Sequence, residues 1–410
     1  MTERRLHCTP IARGRAHLRS KLPILRINGF VERRSPRKRR QRFSWLSDTG
    51  KLIVPPSPIY MIRVELNCHH GARPLTVCAT LLTCTLFGFA QGESSAWQDP
   101  SPHFVQFITV ENGVRLEVLD WGGSGRNIVL LSGSGNTAHV FDDFAQRLSG
   151  SGHVYGVTRR GFGASSHPEA GYTDQRLADD ILQVVDSMRI ATPVLIGHSM
   201  AGSEMTTLGS QHSDRLAGLI YLDAGDDPGN FSGQNPAYMA LFDKLLPVMR
   251  PAPPTEADRR SFQAMRDRQM RTMRFAFPEA EFRNQFESNP DGSVGPNRTP
   301  NSVRKAINEG SKKRDYSKIR VPILYLPASP PVARGWSQYY HFEPQNAEQR
   351  TALQRIYDAD RVYLNRYEEN MRTAIGGVRI VELRGADHYV FCTNEREVLR
   401  EVCKFVAELH

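Results

Sequence analysis

Val194-Leu195-Ile196-Gly197-His198-Ser199-Met200-Ala201-Gly202 is the stretch on which the reading of this chain turns. Its apolar, partly β-branched start reads as a buried strand, and the residues after Met200 read as a helix. Ser199 stands at the joint, with Gly197 two residues before it and Ala201 two residues after. A strand that bends this sharply into a helix leaves no room for larger flanking side chains. The bend lifts the serine hydroxyl above the sheet at a helix N-terminus. There, backbone N–H groups and the helix dipole stabilise a developing negative charge. An ordinary helix-capping serine is the bland alternative.

Outward from this bend the pattern is regular. Alternating strands at 104–110 and 114–121 flank Asn112-Gly113, a hairpin turn signal. Strands at 128–132, 153–158, 193–199 and 216–224 alternate with helical patterns at 138–148 and 174–189. The second of these carries Leu177, Ile181, Val184, Val185 and Met188 on one side. Such alternation predicts an α/β fold, a mostly parallel sheet with helices on both faces. Residues 226–318 then show no strand pattern and are rich in Pro, Met, Arg and Phe, with helical stretches near 236–249 and 256–274. Strands return at 321–327 and 378–383, separated by a helical stretch near 346–374 and followed by a last helix at 394–409. The expectation is a core from 91–225 and 319–410, with a helical cap, 226–318, inserted between two strands.

The net charge of +10 does not describe the globular part. Residues 1–60 carry 15 Lys and Arg against 3 Asp and Glu, and the remaining 350 carry 38 against 40. The excess reads as a solvated, disordered tail rather than a nucleic-acid arm. From Met61 the chain reads like a fresh start: Arg63 and Arg73, an apolar run from Leu75 to Ala90, and small residues at Gly88 and Ala90. That is the layout of a secretory signal peptide over 61–90, too short for a stable membrane span. It predicts translation from Met61, cleavage after Ala90 and a secreted or periplasmic protein. Cys392 and Cys403, expected at the start and inside of one last helix, would lie about 16 Å apart along it. That is beyond disulfide reach. No cysteine or histidine spacing points to a metal and no phosphate loop is present, so no cofactor is expected.

From about residue 103 the chain resembles the α/β-hydrolase fold family. The bend GHSMAG is the strongest match. IVLLSGSGNTAHVFDDF (128–144) resembles that family's turn after its third strand, VTRRGFGAS (157–165) its Asp-x-Arg-Gly-x-Gly-x-Ser turn, and GADHYVF (385–391) its histidine loop. Ser132 stands where the family usually has His, and Thr158 where it usually has Asp. The resemblance implies Ser199 as nucleophile and His388 as general base, since that loop overhangs the nucleophile in this fold and imidazole accepts a proton near neutral pH. His198 would pack beside them. The family most often places its acid after the strand matching 321–327, where this chain reads PASPPVARGW with no carboxylate. Some members place it at the end of the preceding strand, which selects Asp223, with Asp226, Asp227 and Glu343 as alternatives. Asp387 adjoins the histidine and would point away from it. The N–H groups of Met200 and Ser134 would form the oxyanion hole.

These assignments imply a serine hydrolase cleaving an ester or amide of a small, apolar substrate through an acyl-enzyme. Relatives that need aspartate at the bend, such as haloalkane dehalogenases and epoxide hydrolases, fit less well. A lyase or carbon–carbon hydrolase using the same residues is a second reading, because fold does not fix reaction. A non-catalytic binding protein that lost the acid is a third.

Overall fold

The computed structural model describes residues 97–409 apart from 112, 225–239, 241–251, 313, 330–342, 375 and 376. The basic tail, the signal-peptide segment, Asn112, Asp226, Asp227, most of the helical stretch at 236–249 and the latter part of PASPPVARGW lie outside the described residues.

The chain opens with β1 (Phe104–Glu111) and β2 (Val114–Gly122), followed by β3 (Asn127–Leu131). The expected helix at 138–148 begins as a 3-10 turn, Ala138–Phe141, capped by the Thr137 side chain, and continues as α1 (Asp142–Leu148). Then come β4 (His153–Val157), α2 (Asp174–Ser187), β5 (Val194–His198), α3 (Ala201–Gln211) and β6 (Gly218–Leu222). After β6 the described chain forms α4 (Glu256–Arg259), α5 (Phe262–Met273) and α6 (Glu279–Gln285). It goes on to β7 (Phe286–Ser288), β8 (Val294–Asn297) and α7 (Asn301–Gly310). The last part holds β9 (Ile323–Leu326), β10 (Ala328–Ser329), α8 (Ala347–Ala374), β11 (Arg379–Ile380), β12 (Leu383–Arg384), α9 (Val390–Thr393) and α10 (Glu395–Glu408).

Eight strands form one sheet in the order β1-β2-β4-β3-β5-β6-β9-β11. The pairs β1–β2 and β2–β4 are antiparallel, and every pairing from β4 to β11 is parallel. Its central strands are buried on both faces; β5 and β6 contain no exposed residue. One apolar cluster, with Ile196, Ile220, Phe141 and Val402, covers one face, and another, with Leu195, Leu219, Ile181 and Met205, covers the other.

Three expectations need correction. The segment 226–318 does contain strands, because β7 and β8 form a small antiparallel hairpin. Strands of three and four residues holding Gly295 and Pro296 give no alternation to read. The helix expected over 256–274 is two helices, since Ser261 caps the second with its own side chain. The last helix expected at 394–409 forms as α10, but Cys392 lies ahead of it on the separate α9 rather than at its start. Neither Cys392 nor Cys403 forms a disulfide, and Cys403 Sγ accepts from Ser151 Oγ at 3.2 Å.

Candidate active site

The carboxyl ends of β3, β5 and β6 lie side by side, the usual place for ligands in an open α/β sheet. Ser199 follows β5 with φ 54°, a left-handed conformation that a serine adopts only under constraint. The small neighbours explain the bend. A Cβ on Gly197 would run into Met205 Sδ and lie 3.0 Å from Ala201 Cβ, and one on Gly202 would run into the Ala224 carbonyl.

His388 Nε2 lies 2.9 Å from Ser199 Oγ, and His388 Nδ1 lies 2.7 Å from Asp223 Oδ2. Asp223 follows β6 with φ 43°, a second strained non-glycine residue. Its Oδ1 accepts the Ala328 N–H at 2.9 Å, which fixes the carboxylate between two partners. The structure therefore brings Ser199, His388 and Asp223 together. Glu343 is solvent-exposed and its carbonyl accepts from Gln345 Nε2. Asp387 is buried, and its Oδ1 accepts the Tyr389 N–H.

Gly133 lies directly against the serine: an added Cβ would be 3.0 Å from Ser199 Cβ and 2.8 Å from His198 Nδ1. Ser134 follows this glycine in the chain, and Met200 follows Ser199 and precedes α3. Among the described residues neither the Ser134 nor the Met200 N–H donates to a backbone carbonyl.

The two departures from the family pattern have physical substitutes. Ser132 Oγ donates to the Asn136 carbonyl at 3.0 Å and closes the 132–136 turn on itself. Thr158 Oγ1 donates to Glu117 Oε2 at 2.7 Å and accepts from the Ala138 N–H, so Glu117 supplies the carboxylate this turn would otherwise lack.

His198 packs behind the relay. Its Nε2 bonds the His388 carbonyl at 2.9 Å, and its ring sits 4.6 Å from the His388 ring. Burial, then the neighbouring imidazole, hold its pKa well below the ordinary histidine value, so it is neutral. Sequence reasoning missed three supports. Tyr389 Oη donates to Asn136 Oδ1 at 3.1 Å, linking the histidine loop to the oxyanion loop. Glu281, fully buried on α6, binds Asn136 Nδ2 at 2.8 Å and the Thr137 hydroxyl at 2.5 Å. Arg304 on α7 reaches over Gly135, its Nη2 placed 3.1 Å from where a Cβ would stand. No local signal marks these residues, because each acts across a fold-level contact.

Comparison with known proteins agrees with this fold. The chain is 28% identical over 123 residues to 2-(acetamidomethylene)succinate hydrolase of Mesorhizobium japonicum, covering 30% of this chain and 44% of that protein. It is 32% identical over 115 residues to epoxide hydrolase A of Mycobacterium tuberculosis, covering 27% and 36%. The match thus spans less than half the length of either relative. The crystal structure of E-2-(acetamidomethylene)succinate hydrolase superposes with a TM-score of 0.53 at 18% identity, over 74% of this chain and 99% of that one, a likeness of fold alone. Residues 128–401, well over half of the chain, match the alpha/beta hydrolase family, and the protein belongs to that family.

Proposed function

We propose that this protein is a serine hydrolase that cleaves an ester or amide bond of a small, largely apolar molecule. The observation that carries this reading is the relay from Asp223 through His388 to Ser199, with contacts of 2.7 and 2.9 Å, ending on a strained serine. Both named relatives are hydrolases, which supports the reaction class.

The chemistry comes from the arrangement. His388 Nε2 takes the Ser199 proton as Oγ attacks the carbonyl carbon. Asp223 holds the Nδ1 proton and offsets the positive charge that the imidazole gains. The oxyanion collects on the N–H groups of Met200 and Ser134. The imidazolium then protonates the leaving alcohol or amine. Water, deprotonated by the same nitrogen, releases the acid and restores the serine.

The segment between β6 and β9 acts as a cap in this reading. Its Phe277 and Phe275 rings pack 4.8 and 5.6 Å from the Tyr389 ring, beside the general base, and supply an apolar wall. The non-catalytic reading drew its support from the missing carboxylate after β9, and Asp223 at the end of β6 removes that need. The protein works after export in this proposal, from the basic, apolar and small-residue layout of 61–90.

Fluorophosphonate labelling followed by an ester chain-length screen tests the function. The intact chain is expected to label at Ser199 and to hydrolyse short acyl esters, and Ser199→Ala to do neither. An unlabelled, inactive wild-type chain with a native circular dichroism spectrum would overturn the proposal.

A further inference from the structure

A second cluster of chemically competent side chains lies outside the relay. Asp99 and His103 sit just ahead of β1, His139 lies in the 3-10 turn behind the oxyanion loop, and Asp142 opens α1. One ligand atom from each falls within 4.8 Å of the others. The approaches are 3.0 Å (His103 Nδ1 to Asp142 Oδ1), 3.4 Å (His139 Nδ1 to Asp142 Oδ2), 3.5 Å (His139 Nδ1 to Asp99 Oδ2) and 3.7 Å (His103 Nε2 to Asp99 Oδ2). Donors around a tetrahedral ion at about 2.0–2.2 Å are spaced about 3.3–3.6 Å from one another.

The side chains of His103, His139 and Asp142 are only 3, 4 and 2% exposed. His103 Nδ1, His139 Nδ1 and Asp142 Oδ2 are shielded from solvent, and none makes a hydrogen bond. Buried polar atoms are normally bonded. His139 Nδ1 faces two carboxylate oxygens at 3.4 and 3.5 Å, approaches longer than an ordinary hydrogen bond. His139 Nδ1, Asp99 Oδ2 and Asp142 Oδ2 thus converge on one another, with His103 beside them.

The surroundings turn the free atoms inward. Asp142 Oδ1 accepts from Ser101 Oγ at 3.0 Å and Trp121 Nε1 at 3.1 Å, and Asp99 Oδ1 accepts from the Ser101 N–H at 2.9 Å. Each carboxylate thus has one oxygen engaged and its other oxygen toward the cluster. His139 Nε2 faces Glu117 Oε1 at 3.5 Å, and the other Glu117 oxygen is held by Thr158. A carboxylate behind the outer nitrogen of an imidazole is the usual support of a metal-binding histidine. Two carboxylates carry the charge that a dication balances, and four protein donors leave no open position.

We propose that Asp99, His103, His139 and Asp142 form a structural, four-coordinate site for a divalent transition-metal ion of the zinc type, which clamps the chain ahead of β1 to the turn behind the oxyanion loop. No short sequence motif announces it, because the donors come from two segments 36 residues apart, as Asp-x3-His and His-x2-Asp.

The test uses the full-length, tag-free chain, loaded with Zn2+, desalted and assayed for metal per chain. Asp99→Asn, His103→Gln and the outer-shell variant Glu117→Gln are compared with wild type. One Zn2+ equivalent is expected in the wild type. Asp99→Asn and His103→Gln should lose it, and Glu117→Gln should bind it about 10–100-fold more weakly. Cysteines and histidines upstream of residue 97 also attract metal, so Co2+ loading is read by absorption. The proposed site should give visible d–d bands without a thiolate charge-transfer band, and those bands should vanish in Asp99→Asn. Zn2+ should raise the thermal midpoint of the wild type but not of His103→Gln. Equal metal content in wild type and natively folded variants, or Co2+ bands of thiolate type only, would overturn the site. Fluorophosphonate labelling of Ser199 is a separate readout, so this result stands apart from the hydrolase proposal.

Discussion

Ser199 and Asp223 hold φ of 54° and 43°, and both belong to the relay. Left-handed non-glycine backbone costs roughly 1–3 kcal/mol at such positions and persists only where the surroundings enforce it. Asparagine tolerates this conformation as well as aspartate does. Asp223→Asn is therefore expected to fold normally while lowering kcat about 10^3–10^4-fold, because the neutral amide no longer fixes the Nδ1–H tautomer or steadies the charged ring. Steady-state ester kinetics beside a thermal melt check this; a variant within tenfold of wild type would remove Asp223 from the relay. In the proposed mechanism the oxyanion donors are backbone groups, so Ser134→Ala should change kcat little. Ser134→Pro removes the N–H and should cost about 10^2–10^3 in kcat. A large Ser134→Ala effect would instead assign the role to the hydroxyl.

At the scale of elements, α6 supports the oxyanion loop through one carboxyl group. Burial first of all lifts the Glu281 pKa to about 7, against the pull of hydrogen bonds from Thr137 and Asn136. The folded chain then keeps a proton near pH 5–7 that the unfolded chain releases. Stability is highest below the unfolded value, declines as pH rises toward about 7 and is flat above it. Glu281→Gln should abolish this slope, worth about 3 kcal/mol across the window. Urea unfolding at pH 5 and pH 8 measures it, and an unchanged slope in the variant would place the titration elsewhere. The same helix shows why the cap segment was only partly legible. Its helices arise from their own caps, such as Ser261, whereas Glu281 has a role only through contact with residues 136 and 137.

For the whole molecule, the parallel sheet carries apolar clusters on both faces, and Ile220 sits fully buried at its centre. Ile220→Ala should destabilise the fold by about 2–5 kcal/mol in denaturant melts without changing the labelling of folded enzyme by fluorophosphonate. The export proposal belongs to this scale as well: Edman sequencing of the protein from its native host should begin at Gln91, and an N-terminus upstream of Met61 would refute it. Sequence by itself determined the alternation of strand and helix, the sharp serine bend with its small flanks, and the chain order of serine and histidine. These are readable because side-chain period and local sterics act between near neighbours. Only the tertiary structure decided which acid meets His388 and how Glu117 stands in for the usual aspartate. It alone gathered Asp99, His103, His139 and Asp142, for Asp223 and His388 are 165 residues apart and only the parallel crossovers of the sheet set them side by side.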